Sequence, residues 1–452
     1  MKKNELFPVK IQAISSEGMG VCKIDGFTVF VPNTAIGDKS IIKITKVLKS
    51  YAFGIIEELT TPSNDRITPD CPVSHQCGGC VYRHINYEQE KKIKQTRVID
   101  ALSRIGGYKD FPLESISTLE HRNNYRNKAQ IPLGIDKNGK LIMGFYGKHS
   151  HRIIDSKTCL LQADDFNVVM DIIRKWHSEY NVSVYNELTN KGLLRHLYIR
   201  KGEISNELMV CLVINGDNLP YKNELLTQLQ IELPNLKSFI LNINKLKTNV
   251  ILGKDCLTVW GSDYISDTLC GLEFRISPLS FFQVNRTQAE TLYKKALEYA
   301  ELKGDEFILD LYCGTGTIGL SMVSNAKKLI GVEIIAQAIE NAKQNAKSNN
   351  LQAEFICADA TKATEILTKR GEVPDVIILD PPRKGCDQKL IDIVCNFNAK
   401  KIIYISCDPA TLARDLKIFK EKSYKLAKAQ AHDLFPATSH VECVVLMSRE
   451  KD

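Results

Sequence analysis

The chain has 452 residues, 44% hydrophobic and 25% charged, which are globular averages that exclude a disordered or fibrous protein. Its length exceeds what one hydrophobic core usually supports, so two or three domains are expected. A formal net charge of +7 favours an anionic partner only mildly, and charge alone does not point to a nucleic acid.

The start Met1-Lys2-Lys3-Asn4-Glu5-Leu6-Phe7-Pro8 lacks the apolar segment of a signal peptide, and no run is long enough to span a bilayer. A cytoplasmic location with no membrane partner is expected. In that reducing compartment the 14 cysteines should not form disulfides; clustered ones are expected as metal ligands or catalysts, scattered ones as core. Nothing implies an obligate protein partner or gives an oligomeric state.

Residues 1–60 alternate apolar and polar with glycine punctuation, as in Gly26-Phe27-Thr28-Val29-Phe30-Val31-Pro32 and Ile41-Ile42-Lys43-Ile44-Thr45-Lys46-Val47, which predicts a small β-barrel. The polar stretch Thr60-Thr61-Pro62-Ser63-Asn64-Asp65 reads as a linker. Residues 61–275 form an expected mixed α/β middle domain. It opens on Cys71-Pro72-Val73-Ser74-His75-Gln76-Cys77-Gly78-Gly79-Cys80, whose three cysteines are close enough for one metal centre. Spacing leaves iron–sulfur and zinc equally open, and a fourth ligand must come from elsewhere. A helix follows with Val98, Leu102 and Ile105 on one face until Gly106-Gly107 stop it. A second carries Phe166, Val169, Met170, Ile173 and Trp176 at core spacing.

Residues 276–452 become regular. Apolar strands at 307–312, 329–333, 354–357, 376–380 and 401–406 alternate with helices, predicting a parallel doubly wound sheet, and 424–429 with 440–448 add two strands with no helix between them. Leu309-Asp310-Leu311-Tyr312-Cys313-Gly314-Thr315-Gly316-Thr317-Ile318-Gly319 is a glycine turn entering a helix. Its spacing fits both an adenosyl-methyl donor and a dinucleotide, and Glu333 at the next strand end could bind ribose in either case. Asp380-Pro381-Pro382-Arg383 fixes two φ angles and aims the Asp380 carboxylate into the strand-end crevice. In Tyr404-Ile405-Ser406-Cys407-Asp408-Pro409 and His440-Val441-Glu442-Cys443, strand ends place Cys407 as a thiol nucleophile and Glu442 as a carboxylate base. A strand cysteine alone is ordinarily core; Glu442 at the mouth of an apolar run shifts that balance. Arg126 and Lys128, with Lys43, Lys46 and Lys49, are candidate phosphate contacts.

Asp380-Pro381-Pro382-Arg383, Ser406-Cys407 and His440-Val441-Glu442 resemble the signatures of the RNA uracil-5-methyltransferases, and the likeness runs over nearly the whole chain. Ser16-Glu17-Gly18-Met19-Gly20-Val21 with Val29-Phe30-Val31-Pro32 resembles the TRAM domain, an oligonucleotide-binding barrel. The resemblance implies an α/β chain of three parts: a TRAM-like barrel, an iron–sulfur middle domain and a Rossmann-like catalytic domain. It implies S-adenosylmethionine as methyl donor, with Gln283, Tyr312, Gly314, Gly316, Glu333 and Asp380 lining its pocket. It implies Cys159 as fourth ligand, with Cys71, Cys77 and Cys80, to a 4Fe-4S cluster. RNA is the implied partner, 23S ribosomal RNA first and transfer RNA second. Two other classes remain: a non-catalytic RNA-binding or assembly factor with a methyltransferase fold, and a dinucleotide-dependent oxidoreductase.

Overall fold

A computed structural model of the chain describes residues 1–449. The first six strands are β1 (Leu6–Lys10), β2 (Ala13–Ile14), β3 (Gly20–Ile24), β4 (Phe27–Val31), β5 (Lys39–Val47) and β6 (Tyr51–Thr61). They pair in the order β1-β5-β6-β4-β3-β2. Since β1 runs almost directly into β2, one stretch of chain holds both edges and the sheet closes into the expected barrel around Cys22, Val29, Val31, Ile42 and Ile44. Its last strand absorbs the start of the expected linker. Past it, the buried Asp38 carboxylate accepts two bonds from the Arg66 guanidinium and one from the Ser63 N–H, fixing the exit of the barrel.

Helix α1 (Tyr87–Arg104) is capped by the Asn86 side chain accepting from Gln89 N–H, and Gly107 at φ 68° ends it in the left-handed region. Val98 and Leu102 are buried as expected. Ile105 is not: it is the C-cap and 44% exposed, because the helical phase is lost one residue earlier. Helix α1 and the next strand, β7 (Leu113–Ser117), lie in the segment read as the middle domain but pack with the C-terminal sheet.

The middle sheet contains β8 (Lys128–Ile135), β9 (Leu141–Tyr146), β10 (Ile153–Asp155), β11 (Leu194–Lys201), β12 (Leu208–Ile214), β13 (Leu236–Ile243) and β14 (Asp255–Gly261). Its order is β10-β9-β8-β11-β12-β13-β14. Helices α2 (Asp164–Tyr180) and α3 (Lys222–Glu232) cover one face. Phe166, Val169, Met170, Ile173 and Trp176 of α2 are all buried there, as their spacing predicts. The opposite face, through Tyr198, Met209 and Cys211, joins the core of the C-terminal part. A hairpin of β15 (Ile265–Leu269) and β16 (Leu272–Ile276) leads onward.

The C-terminal part alternates α4 (Arg286–Ala300), β17 (Phe307–Leu311), α5 (Thr317–Met322), β18 (Lys328–Glu333), α6 (Ala336–Ser348), β19 (Glu354–Cys357), α7 (Ala360–Lys369), β20 (Val376–Leu379), α8 (Gln388–Asn396), β21 (Lys401–Ser406) and α9 (Pro409–Glu421). It ends on β22 (Tyr424–His432) and β23 (Glu442–Arg449). The sheet order is β19-β18-β17-β20-β21-β23-β22-β7; the first five are parallel and β23 is antiparallel to both its neighbours. Helices α1, α7, α8 and α9 cover one face, α4, α5 and α6 the other, the doubly wound arrangement the strand spacing predicts. Asn285 caps α4 by accepting from Gln288 N–H at 3.1 Å, while the Gln288 side chain accepts from Ser117 of β7 rather than closing a capping box. No helix among the described residues is long and apolar enough to cross a membrane.

Candidate active site

Parallel strands carry their C-terminal ends to one edge of the sheet, where loops can converge on a ligand. Antiparallel β23 begins at that same edge, with Ser406 opposite Cys443. One step beyond this pair, Cys407 and Glu442 face each other across neighbouring strand ends. On the other side of β21, Leu379 pairs with Tyr404, so Asp380 enters the same crevice.

The electrostatics tie the group together. Burial, and then Glu442, push the half-buried Cys407 thiol up to about 11, with Asp380 adding and Arg383 pulling it down. Burial, and then Asp380, raise Glu442 to about 8, again opposed by Arg383. Burial lifts Asp380 itself to about 7. Arg383 is therefore the cation that favours both a thiolate at Cys407 and a carboxylate at Glu442.

Beside them, the turn after β17 places Tyr312, Gly314 and Gly316 at φ of 71°, 56° and 84°. The left-handed run turns the chain sharply under the crevice, and a side chain on Gly314 would meet open space. Gly319 is used differently: it packs against Leu329, and its N–H donates to Asp310 at 3.0 Å. Glu333 accepts from Gly314 N–H at 3.2 Å and from Ile335 N–H at 2.9 Å, which fixes its carboxylate at the end of β18. Ile334 and Ile335 next to it are 63% and 60% exposed, and Phe281 is 66% exposed. Asn341 Nδ2 of α6 donates to the Ser280 hydroxyl, beside Phe281, at 3.2 Å, which ties the Phe281 loop to the helix that follows Ile335. A fixed carboxylate, an open glycine turn and uncovered apolar side chains fit an adenosyl ligand. Gln283 reaches the crevice from the loop before α4, beside the Tyr293 hydroxyl, which lies 3.2 Å from Thr317.

Helix α1 holds the loop that delivers Glu442. Lys94, wholly buried, donates to Glu90 at 2.8 Å, to Asp433 at 2.6 Å and to the Phe435 carbonyl at 3.1 Å. Arg122 adds a second cation to Glu90, which also accepts from Ala437 N–H. One turn later Arg97 donates to the Ser439 carbonyl at 2.6 Å and faces Asp408 at 3.6 Å, so it reaches the segments next to both Glu442 and Cys407. The Ala437 carbonyl accepts from the N–H groups of Val81 and Tyr82, just after Cys80.

Cys71, Cys77, Cys80 and Cys159 line one cavity of about 100 Å³. None is in a disulfide. Among the described residues no three His, Cys, Asp or Glu side chains are gathered as ligands of a single metal ion. Burial raises the thiols at Cys77, Cys80 and Cys159, while Lys148, Arg83 and Arg126 oppose it at each in turn. Buried Arg83 Nε and Nη2 and Arg126 Nε have no hydrogen-bond partner. Four thiols around one space, with orphaned guanidinium nitrogens facing them, fit a group that binds thiolates.

The family described as tRNA (Uracil-5-)-methyltransferase matches residues 122–450. This chain belongs to that family. The TRAM domain matches residues 2–56, the span of the barrel. The RNA methyltransferase is 43% identical to an uncharacterized RNA methyltransferase of Clostridium tetani over 99% of this chain and 97% of that one. It is 42% identical to one of Bacillus cereus, over 99% and 98%. The solved structure of Pyrococcus abyssi tRNA (uracil-54, C5)-methyltransferase in complex with S-adenosyl-L-homocysteine superposes with a TM-score of 0.79. It covers 98% of this chain and 100% of that one at 28% identity. The enzyme is thus an RNA methyltransferase of the uracil-5 family.

Of the residues singled out for catalysis and donor binding, Tyr312, Gly314, Gly316, Glu333, Asp380, Cys407 and Glu442 lie at one edge of the sheet and Gln283 in the loop before α4, while the four cysteines line one cavity. Sequence reading missed the Lys94–Glu90–Asp433 clamp, Arg97, the exposed Ile334 and Ile335, and the role of Arg383 as a local cation. For Arg383 a signal was available in its place within the proline loop.

Proposed function

We propose that this enzyme methylates C5 of a uridine in 23S ribosomal RNA by covalent catalysis, with Cys407 as nucleophile and Glu442 as base. The observation that supports the proposal is the register of β21 and β23, whose last pair, Ser406 opposite Cys443, is followed by Cys407 on one strand and preceded by Glu442 on the other. S-adenosylmethionine, when bound, supplies an electrophilic methyl group. Uracil C5 is too weak a nucleophile to take it unaided. The Cys407 thiolate bonds to C6, and the electron pair of the C5–C6 double bond moves toward C5 and O4. Once C5 carries the methyl, Glu442 accepts the C5 proton; the released pair re-forms the double bond and expels the thiolate. Arg383 favours the charged form of both groups. The uridine must leave its stack, because a thiol at a sheet edge cannot reach C6 inside a paired helix.

Gln283, Tyr312, Gly314, Gly316, Glu333 and Asp380 would hold the donor, with Glu333 on the ribose hydroxyls. Cys71, Cys77, Cys80 and Cys159 would hold a 4Fe-4S cluster. Support for a thiolate-bound group is that the four thiols line one cavity; the cluster, rather than a zinc ion, is what the resemblance implies. Residues 1–60, 61–275 and 276–452 are the proposed barrel, cluster and catalytic regions, with α1 and β7 lent to the last.

Barrel and cysteine cavity together resemble the ribosomal branch of the family. Transfer RNA is the second reading, favoured by the Pyrococcus abyssi tRNA enzyme matching this chain along its whole length. A strain lacking the gene should lose 5-methyluridine from large-subunit RNA and keep it in transfer RNA; the reverse pattern moves the assignment. In the purified enzyme, Glu442→Gln should trap a protein–RNA adduct that survives denaturing gels, and Cys407→Ala should form none. Normal turnover by Cys407→Ala would reject covalent catalysis by this residue.

A further inference from the structure

Lys128 and Arg200 are directly paired residues on neighbouring strands β8 and β11. In β8 the alternate residues Ala129, Ile131 and Leu133 enter the core under α2, and in β11 Leu197 and Ile199 do the same. Lys128 and Arg200 therefore point to the opposite face, where Tyr198 joins the core of the catalytic part. Two cations paired across a sheet repel, and pairs of like charge there are ordinarily avoided.

No carboxylate relieves them. Neither residue forms an ion pair among the described residues, and the charges acting on Lys128 are Arg200 and Arg126. Arg200 is 2% exposed, makes one long bond to the Ser277 carbonyl at 3.3 Å, and leaves its buried Nε without a partner. Burial and these neighbours push Lys128 down to about 8. A buried guanidinium with a spare donor is costly unless something accepts from it. Lys128 is half-buried, so the group is open on its outer side.

The location supplies the partner. Between Arg126 and Lys128, Asn127 donates through Nδ2 to the Gln283 carbonyl at 2.9 Å and through its N–H to the Val284 carbonyl at 2.8 Å. Arg126 lies 5.9 Å from the Phe435 ring, which packs edge-on against His440, two residues before Glu442. The cations thus border the catalytic edge. That edge carries the acidic groups Asp380, Glu333 and Glu442.

We propose that Lys128 and Arg200, flanked by Arg126, form a phosphate clamp that grips the RNA backbone next to the uridine presented to Cys407. The inference takes the chain as an RNA methyltransferase and is independent of which RNA it serves. Arg200 offers a planar fork at the back and Lys128 a mobile point charge at the mouth, a combination suited to one backbone phosphate.

The test is Lys128→Gln, with Arg200→Lys as the second variant. Binding of an unpaired substrate oligonucleotide is followed against salt. Losing one phosphate contact should reduce the slope of log K against log[salt] by about 0.7. Lys128→Gln should raise KM for RNA while affinity for S-adenosylmethionine stays at the wild-type value. Without RNA its Tm should equal or exceed wild type, because repulsion is relieved; Arg200→Lys should keep the slope and lose affinity. An unchanged salt slope in Lys128→Gln would overturn the clamp while leaving the methyltransferase reading intact. A lowered Tm with an unchanged slope would instead make Lys128 a packing residue. Wild-type enzyme that fails to bind RNA would reject clamp and substrate together.

Discussion

The proposed base Glu442 has to be ionised to accept a proton, yet it is only 7% exposed and sits beside Asp380, so its carboxyl is raised to about 8. Turnover limited by the elimination step should therefore rise with pH from 7 to 9. Because Arg383 lowers both Glu442 and Cys407, Arg383→Gln should move that rise to higher pH, whereas Asp380→Asn should move the Glu442 limb to lower pH; pH–rate profiles of the three enzymes check both signs. The same shift bears on stability. A group whose pKa rises on folding contributes fully below its ordinary value and loses that contribution as pH climbs through the folded value. Glu442→Gln removes the penalty of an ionised buried carboxylate, and should stabilise the fold by about 2–4 kcal/mol at pH 8.5, shrinking toward zero near pH 5. Urea melts at the two pH values measure it, and a pH-independent difference would contradict the assigned burial effect.

Secondary structure near the site follows from local rules, and so it was legible: apolar strands followed by glycine, proline or cysteine turns gave the parallel sheet, and the register then joined Cys407 to Glu442. What stayed hidden depends on contacts between residues far apart in the chain. Glu90 and Lys94 stand four apart on α1 and read as a solvated helical pair; only Asp433, more than three hundred residues later, makes them a buried network. Helix α1 was likewise assigned to the middle region because sequence order places it there, while its Val98 and Leu102 bury against the catalytic sheet. Lys94→Met should leave two carboxylates buried with one cation fewer, costing about 3–5 kcal/mol. If the network positions the loop before Glu442, a residual folded fraction should form the Cys407–RNA adduct yet eliminate it slowly. An adduct that turns over at the wild-type rate would reduce the network to a purely structural role.

At the scale of the whole molecule, the cysteine cavity is tied to the active site through the backbone. Cys80 leads into Val81 and Tyr82, whose N–H groups hold the Ala437 carbonyl, and Ala437 stands in the left-handed region at φ 67°, unusual for a residue with a side chain. The loop that carries His440 is therefore pinned on one side by α1 and on the other by the cysteine segment. If the four thiolates bind an iron–sulfur cluster, enzyme purified without oxygen should be brown and contain iron and acid-labile sulfide in similar amounts. Stoichiometric zinc without sulfide would reject that assignment. Because metal binding and folding are linked, serine at Cys71, Cys77, Cys80 or Cys159 should lower Tm in every case. The methyl transfer moves no single electrons, so S-adenosylmethionine affinity of the folded fraction should stay close to wild type. The effect on turnover should be strongest at Cys80, the ligand one residue from the segment that holds Ala437, and weakest at Cys71. Comparing kcat per folded enzyme across the four variants separates a cavity that only staples the fold from one whose filling sets the position of Glu442, the proposed base.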